Sequence, residues 1–149
     1  MSIFVTKKVC SLLIVLTYFT CFLITPSQSC WFTTEWTVYV YNGIPDSIID
    51  VHVKSGDDDL GHHNITSFLG YKFKFCDSLF GTLFTGDFSY KSRSAHFHVF
   101  DDEILSIIGG MPGESSDVFW LLKQDGYYLS RKFKSSINDP AWEFRGKWN

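Results

Sequence analysis

The sequence predicts an all-β protein, a small antiparallel β-sandwich of roughly seven to eight strands. Three observations predict it. Apolar and polar residues alternate with a period of two in several separate stretches, the pattern of strands with one buried face. Turn-forming residues interrupt those stretches about every 8–12 residues. Aromatic residues are abundant, with 15 Phe, 7 Tyr and 5 Trp, and these side chains suit a pleated, half-buried surface.

The strands follow in order. Trp36, Val38 and Val40 share one face of the first, with Thr37, Tyr39 and Tyr41 opposite, before a turn at Asn42-Gly43 and Pro45-Asp46. A second runs from about Ser47 to Lys54, placing Ile49, Val51 and Val53 against His52 and Lys54. Ser55 to Asn64 is polar and reads as an exposed loop. Tyr71, Phe73 and Phe75 alternate with Lys72 and Lys74. Gly81 to Tyr90 carries Leu83, Phe84, Phe88 and Tyr90, and Gly86 within it points to a bulge or a close backbone approach. Ala95 to Asp101 sets Phe97 and Val99 against His96 and His98. Asp102 to Ile108 fits one helical turn or a strand extension equally well, and Gly109 to Gly113 is a loop. Asp117–Gln124 and Tyr127–Phe133 flank Asp125-Gly126, a two-residue hairpin signal, because such tight turns need positive backbone angles. Ala141 to Trp148 returns as a short closing strand.

Residues 1–29 read as a removable export signal. Lys7 and Lys8 precede the apolar run Val9 to Ile24, and Ser27-Gln28-Ser29 follows Pro26, with cleavage expected before Cys30. The run of about sixteen residues is short of the roughly 20 needed to span a bilayer. One domain of roughly 120 residues, 30–149, remains, and no membrane insertion is expected of it. Of the four cysteines, Cys10 and Cys21 depart with the leader, leaving Cys30 and Cys76. Paired, they would close a loop of about 47 residues and stabilise by roughly 4 kcal/mol on the chain-entropy model. Free or intermolecular thiols are the alternative. Asn64-Ile65-Thr66 is an N-glycosylation sequon.

Formal charge is −3, and loss of the two leader lysines takes it to −5, so no basic excess exists to neutralise nucleic-acid phosphates. Asp57-Asp58-Asp59 with His62 and His63 invites a metal reading, but a calcium loop counted from Asp57 would put His62 at the sixth position and Phe68 at the twelfth. Two adjacent histidines do not specify zinc either. His96 and His98 share a strand face, where unemployed polar residues are common. No nucleophile elbow or phosphate-cradling glycine loop occurs, and no catalytic residue, metal or cofactor is expected. Trp36, Trp120, Phe73 and Phe75 read as core, and Tyr39, Tyr41 and Tyr127 as core or as a carbohydrate-binding platform.

Five segments, in order, resemble the plant self-incompatibility S-protein family, also called S-protein homologues. They are Trp36 to Asn42, Val51 to Gly61 (VHVKSGDDDLG), Phe73-Lys74-Phe75 with Gly81 to Phe84, Phe97 to Phe100, and Trp120 through Gly126. The resemblance implies a small secreted β-sandwich that acts without catalysis as an extracellular ligand; founding members are made in the stigma and meet a membrane protein of incompatible pollen. It implies a monomer whose partner is a membrane-protein receptor on another cell. Family members usually carry cysteines where Val53 and Gly86 stand and two more near Ser116 to Phe119, so the pairing of Cys30 with Cys76 is not the family's. On this reading Asp57, Asp58, Asp59, Gly61, His62 and His63 form a partner-binding loop and Gly109 to Glu114 a second. The alternative is a lectin-like or wall-binding module using Tyr39, Tyr41 and Tyr127.

Overall fold

A computed structural model describes residues 30, 33–78, 81–109 and 116–149. The proposed leader and most of the Gly109–Glu114 loop lie outside the described residues. The order is β1 (Glu35–Asn42), β2 (Ile48–Lys54), β3 (Asp59–Thr66), β4 (Gly70–Cys76), β5 (Phe84–Tyr90), β6 (Arg93–Phe100), α1 (Asp102–Ile108), β7 (Ser116–Lys123), β8 (Gly126–Ser130) and β9 (Glu143–Gly146). Two sheets form: sheet A, in the order β4-β1-β7-β8-β9, and sheet B, in the order β3-β2-β5-β6.

Period-two alternation builds the core between them. Trp36, Val38 and Val40 of β1 and Val118, Trp120 and Leu122 of β7 point inward from sheet A. Ile49, Val51 and Val53 of β2, Phe88 of β5, and Phe97 and Val99 of β6 meet them from sheet B. Aromatic rings bridge the layers: Phe97 to Trp120 at 4.7 Å, Phe73 to Phe84 at 5.1 Å and Trp36 to Phe100 at 5.0 Å between centroids. Such pairs contribute about 0.5–1.5 kcal/mol each beyond the area they bury.

Several expectations are corrected. The stretch read as a loop from Ser55 to Asn64 is mostly strand β3, which raises the strand count to nine among the described residues. A polar strand is tolerated there because β3 is an edge and its backbone is satisfied by the ladder to β2. The central pair of sheet A, β1 with β7, is parallel, with Val38 opposite Val118 and Val40 opposite Trp120. The hairpin turn is Gln124-Asp125, one residue earlier than expected, with Lys123 opposite Gly126. Gly126 is needed for packing: a Cβ there would lie 2.1 Å from the Gly146 carbonyl oxygen of β9. Lastly, Gly81 to Leu83 precede β5, and Leu83 is exposed.

Gly86 is neither a bulge nor a backbone contact. It stands in register opposite Val53 on one side and Phe97 on the other. A Cβ would fall 2.5 Å from the Phe88 ring and 2.9 Å from Val99 Cγ1, so side chains occupy the space. Positions 53 and 86, where the resemblance leads one to expect cysteines, are therefore direct cross-strand partners. In this chain a buried valine and the Phe88 ring occupy that place.

Asp102–Ile108 is a helix, which resolves the open choice. The Asp101 carboxylate accepts the Ile104 amide at 2.9 Å as an N-cap, and Asp102 and Glu103 suit the positive end of the helix dipole. Ile104 and Ile108, one turn apart, bury against the core. Cys30 and Cys76 are disulfide-bonded, tying the segment ahead of β1 to the end of β4.

One buried polar residue organises the pole where β1 ends. Asn42 is fully buried; its amide nitrogen donates to the Ile65 carbonyl at 3.0 Å and to Ser47 Oγ at 3.0 Å. Its side-chain oxygen accepts the Ile44 amide at 2.9 Å. Replacing Asn42 by Ala strands these buried groups, each costing about 1–3 kcal/mol. We expect Asn42→Ala to lose about 3 kcal/mol in a urea titration, with Asn42→Asp, which cannot donate to Ile65, close behind.

Candidate functional site

The β2–β3 hairpin supplies the site, and its tip is shorter than expected. Only Ser55 to Asp58 lie between the strands. Ser55 shapes this tip: its amide donates to the Asp58 carbonyl at 2.7 Å, and its hydroxyl accepts the Asp58 amide at 3.0 Å. Asp57 and Asp58 are exposed, and among the described residues neither carboxylate has a hydrogen bond or an ion pair. Asp59 differs. Its carboxylate accepts from the Gly61 amide at 2.8 Å and from His52 Nε2 at 2.8 Å. The Gly61 and His52 hydrogen bonds hold its pKa below the usual carboxylate value.

The remaining expected residues divide between faces. Gly61, at φ 76°, sits where the β2–β3 register slips between His52 and Lys54. His62 points outward, stacks on His52 at 4.3 Å and donates to Asp50 at 2.9 Å. His63 turns the other way, stacking on Tyr71 at 4.1 Å and donating to the Leu60 carbonyl at 2.8 Å. The adjacent histidines therefore do not share a surface. Asn64 is exposed opposite Asp50 on the outer face.

A wider arrangement escaped the sequence reading. Across the outer face of sheet B, histidines alternate with aspartates: Asp87 on β5 accepts from His96 on β6 at 2.6 Å, and Asp101 accepts from His98 at 2.7 Å. Lys54 stands 3.6 Å from Asp87. The signal lay in strand parity, since 50, 52 and 54, 87, and 96 and 98 are all outward positions once β2, β5 and β6 are in register. Reading β3 as a loop hid Asp59 and His62 from that scheme.

The tyrosine platform of the lectin-like alternative does not assemble. Tyr39 stacks on Phe119 at 4.9 Å on the outer face of sheet A, and Tyr41 lies beside it, with Trp142 and Ile137 packed over this cluster. Tyr127 stacks on Phe97 at 4.0 Å on the opposite, inner face. A cavity of about 210 Å³ opens beside Tyr127, lined also by His98, Asp101 and Trp120, with the Arg145–Glu103 ion pair at its edge. Its aromatic floor is committed to the core, as Trp120 Nε1 donates to the Val99 carbonyl and Phe97 lies between Trp120 and Tyr127. Among the described residues no cluster of three or more His, Cys, Asp or Glu is arranged to hold a metal ion, and no helix is long and apolar enough to cross a membrane.

Comparison with known proteins bears on this geometry. The family model described as plant self-incompatibility protein S1 matches residues 37–148. S-protein homolog 4 of Arabidopsis thaliana is 33% identical over 85 residues, covering 55% of this chain and 56% of the relative. S-protein homolog 3 of the same plant is 35% identical over 75 residues, 49% of each chain. The chain thus spans about half the length of the curated relatives it matches. No solved structure matches.

Protonation of the outer face bears on stability in acid. The His96 hydrogen bond, foremost, holds the Asp87 pKa below its ordinary value, with burial opposing and His96, Lys54 and His52 charges adding. A carboxylate lowered in the folded state stabilises above its unfolded pKa of about 3.9, and that contribution fades as pH falls through the folded value. Asp87→Asn should therefore flatten the loss of thermal stability below about pH 4 while leaving the midpoint near pH 7 lower than the parent's.

Proposed function

The chain belongs to the plant self-incompatibility protein S1 family, and from that premise we propose that it is a secreted, non-enzymatic extracellular ligand that recognises a cell-surface protein through the acidic tip of its β2–β3 hairpin. The observation that carries this reading is the pair of exposed carboxylates at Asp57 and Asp58, without partners among the described residues, on a tip whose backbone is already held by Ser55. Two free charges on a rigid hairpin cost little to present, since the loop needs no further ordering on binding. They would steer a basic receptor patch into register, raising the association rate more than the affinity. A sandwich whose core is complete without this tip leaves it free to vary for recognition.

Export follows from the leader at residues 1–29, and the Cys30–Cys76 disulfide supports an oxidising route. Asn64 is exposed on an edge strand, which supports use of its sequon during export. Expression in plant cells should release protein beginning at Cys30, and Asn64→Gln should lower its mass by one N-glycan. Intact-protein mass spectrometry checks both points, and recovery of the uncleaved chain would overturn the export reading.

The receptor reading is tested by binding of the labelled secreted protein to intact plant cells. We expect saturable binding that prior surface proteolysis abolishes, reduced about tenfold in Asp57→Asn/Asp58→Asn while secretion is unchanged. Binding that survives proteolysis but is competed by wall glycans would overturn it.

A further inference from the structure

Four of the five histidines lie on the outer face of sheet B, and each donates to an aspartate there. The pairs are His62–Asp50 at 2.9 Å, His52–Asp59 at 2.8 Å, His96–Asp87 at 2.6 Å and His98–Asp101 at 2.7 Å. They are not independent. The His52 and His62 rings stack at 4.3 Å, and the second nitrogen of His52 lies 4.0 Å from Asp87, the carboxylate that also holds His96 and Lys54. These contacts run across β3, β2, β5 and β6 as far as His96, and the His98–Asp101 pair stands on the same face of β6, where Asp101 caps α1.

Imidazole is the side chain whose charge ordinarily changes between about pH 5 and 8. We infer that this row is a proton-operated charge switch behind the β2–β3 tip, favouring the docking of a basic protein patch near neutral pH and releasing it on acidification. The inference rests on the reading of the tip as a recognition surface and adds its regulation. With the imidazoles neutral, Asp50, Asp57, Asp58, Asp59, Asp87 and Asp101 face, among the described residues, Lys54 alone, a formal −5; four imidazolium ions bring it to −1. The other outward side chains on these strands, among them Asn64, Thr85, Ser89 and Ser94, carry no charge. Nearby charges are engaged elsewhere: Lys91 lies over the Tyr90 ring, Arg93 donates to the Gln124 carbonyl, and Glu103 pairs with Arg145, while Asp102 lies toward Gly81.

The geometry makes the switch sharper than a scatter of surface histidines. Neutral His52 has one N–H and can serve Asp59 or Asp87; protonated, it donates toward both and draws β3 and β5 onto one cation. The hydrogen bonds to Asp59 and Asp87 hold both carboxyl groups below the usual carboxylate range, so these two stay ionised between about pH 5 and 8. A basic partner then meets carboxylates already neutralised from behind.

The test is capture of the secreted protein by an immobilised oligolysine peptide at constant low ionic strength, from about pH 7.5 to about pH 5.5. We expect capture near neutrality that weakens about tenfold or more in acid. His52→Gln/His62→Gln/His96→Gln/His98→Gln, confirmed folded by its thermal transition, should bind equally at both ends of the range. Single His→Gln variants should each remove part of the pH response, which keeps the test open if the quadruple variant does not fold. Asp57→Asn/Asp58→Asn should bind more weakly near neutrality yet keep its pH dependence. A pH-independent parent, or a folded quadruple variant that retains the full response, would overturn the switch. Protease-resistant binding to cells alongside pH-dependent oligolysine capture would instead sink the receptor reading and leave the switch standing.

Discussion

The Asn42 side chain is the point through which the two sheets and the first turn are held to one another. It sits at the end of β1 in sheet A, yet it donates to Ile65 of β3 in sheet B and accepts from Ile44 in the turn to β2. Its backbone completes the clasp, with Asn42 N–H donating to Leu69 and its carbonyl accepting from Phe68. Next to it, the Gly43 amide reaches the Leu122 carbonyl of β7. A carboxamide can do this because it donates and accepts at one place, and burial makes each of those bonds costly to lose. The register of β2 against β3, and hence the placing of the acidic tip at the far end of that hairpin, begins from this clasp.

From that arrangement the two outer faces acquire different characters. On sheet A, Tyr39, Tyr41, Phe119 and Leu121 form an apolar surface, and the chain after β8 folds back over it with Ile137 and Trp142. The Trp142 indole fastens this cover by donating to the Ser136 carbonyl at 3.0 Å. Among the described residues nothing covers sheet B in this way, and its outer face carries charged side chains on all four strands. One side of the sandwich is thus consumed by packing, and the other remains free for chemistry with the surroundings. The disulfide lies at the edge of sheet A, at the end of β4, away from the charged face.

Most of the fold was legible because burial follows parity. Val38, Val40, Ile49, Val51, Phe97 and Val99 fall where a two-residue period puts them, and each strand containing them was placed within a few residues. β3 was missed because an edge strand can be polar: its place is set by backbone bonds to β2, which leave no mark on its composition. The parallel pairing of β1 with β7 was likewise hidden, since strand order is a property of the closed sheet and not of either segment. For the site, Asp57 and Asp58 were recognisable as an exposed acidic run. The histidine row was not, because it spans two hairpins that meet only through the β2–β5 pairing, and its members line up only when the register is known.

That parallel pair has a consequence for how the chain reaches its native state. β1 is complete by Asn42, but its partner β7 begins at Ser116, so the middle of sheet A cannot close until most of the polypeptide exists. Sheet B, by contrast, is assembled from neighbours in sequence, apart from the β2–β5 pairing that spans β3 and β4. Contacts between distant segments form slowly, since the loop between them must be closed first. Sheet B can therefore form as a local unit while β1, with the apolar Val38 and Val40, waits beside β4 for β7 to emerge. An emerging chain stopped short of β7 would present that apolar edge to its surroundings, and the arrival of Val118, Trp120 and Leu122 is the step that seals it.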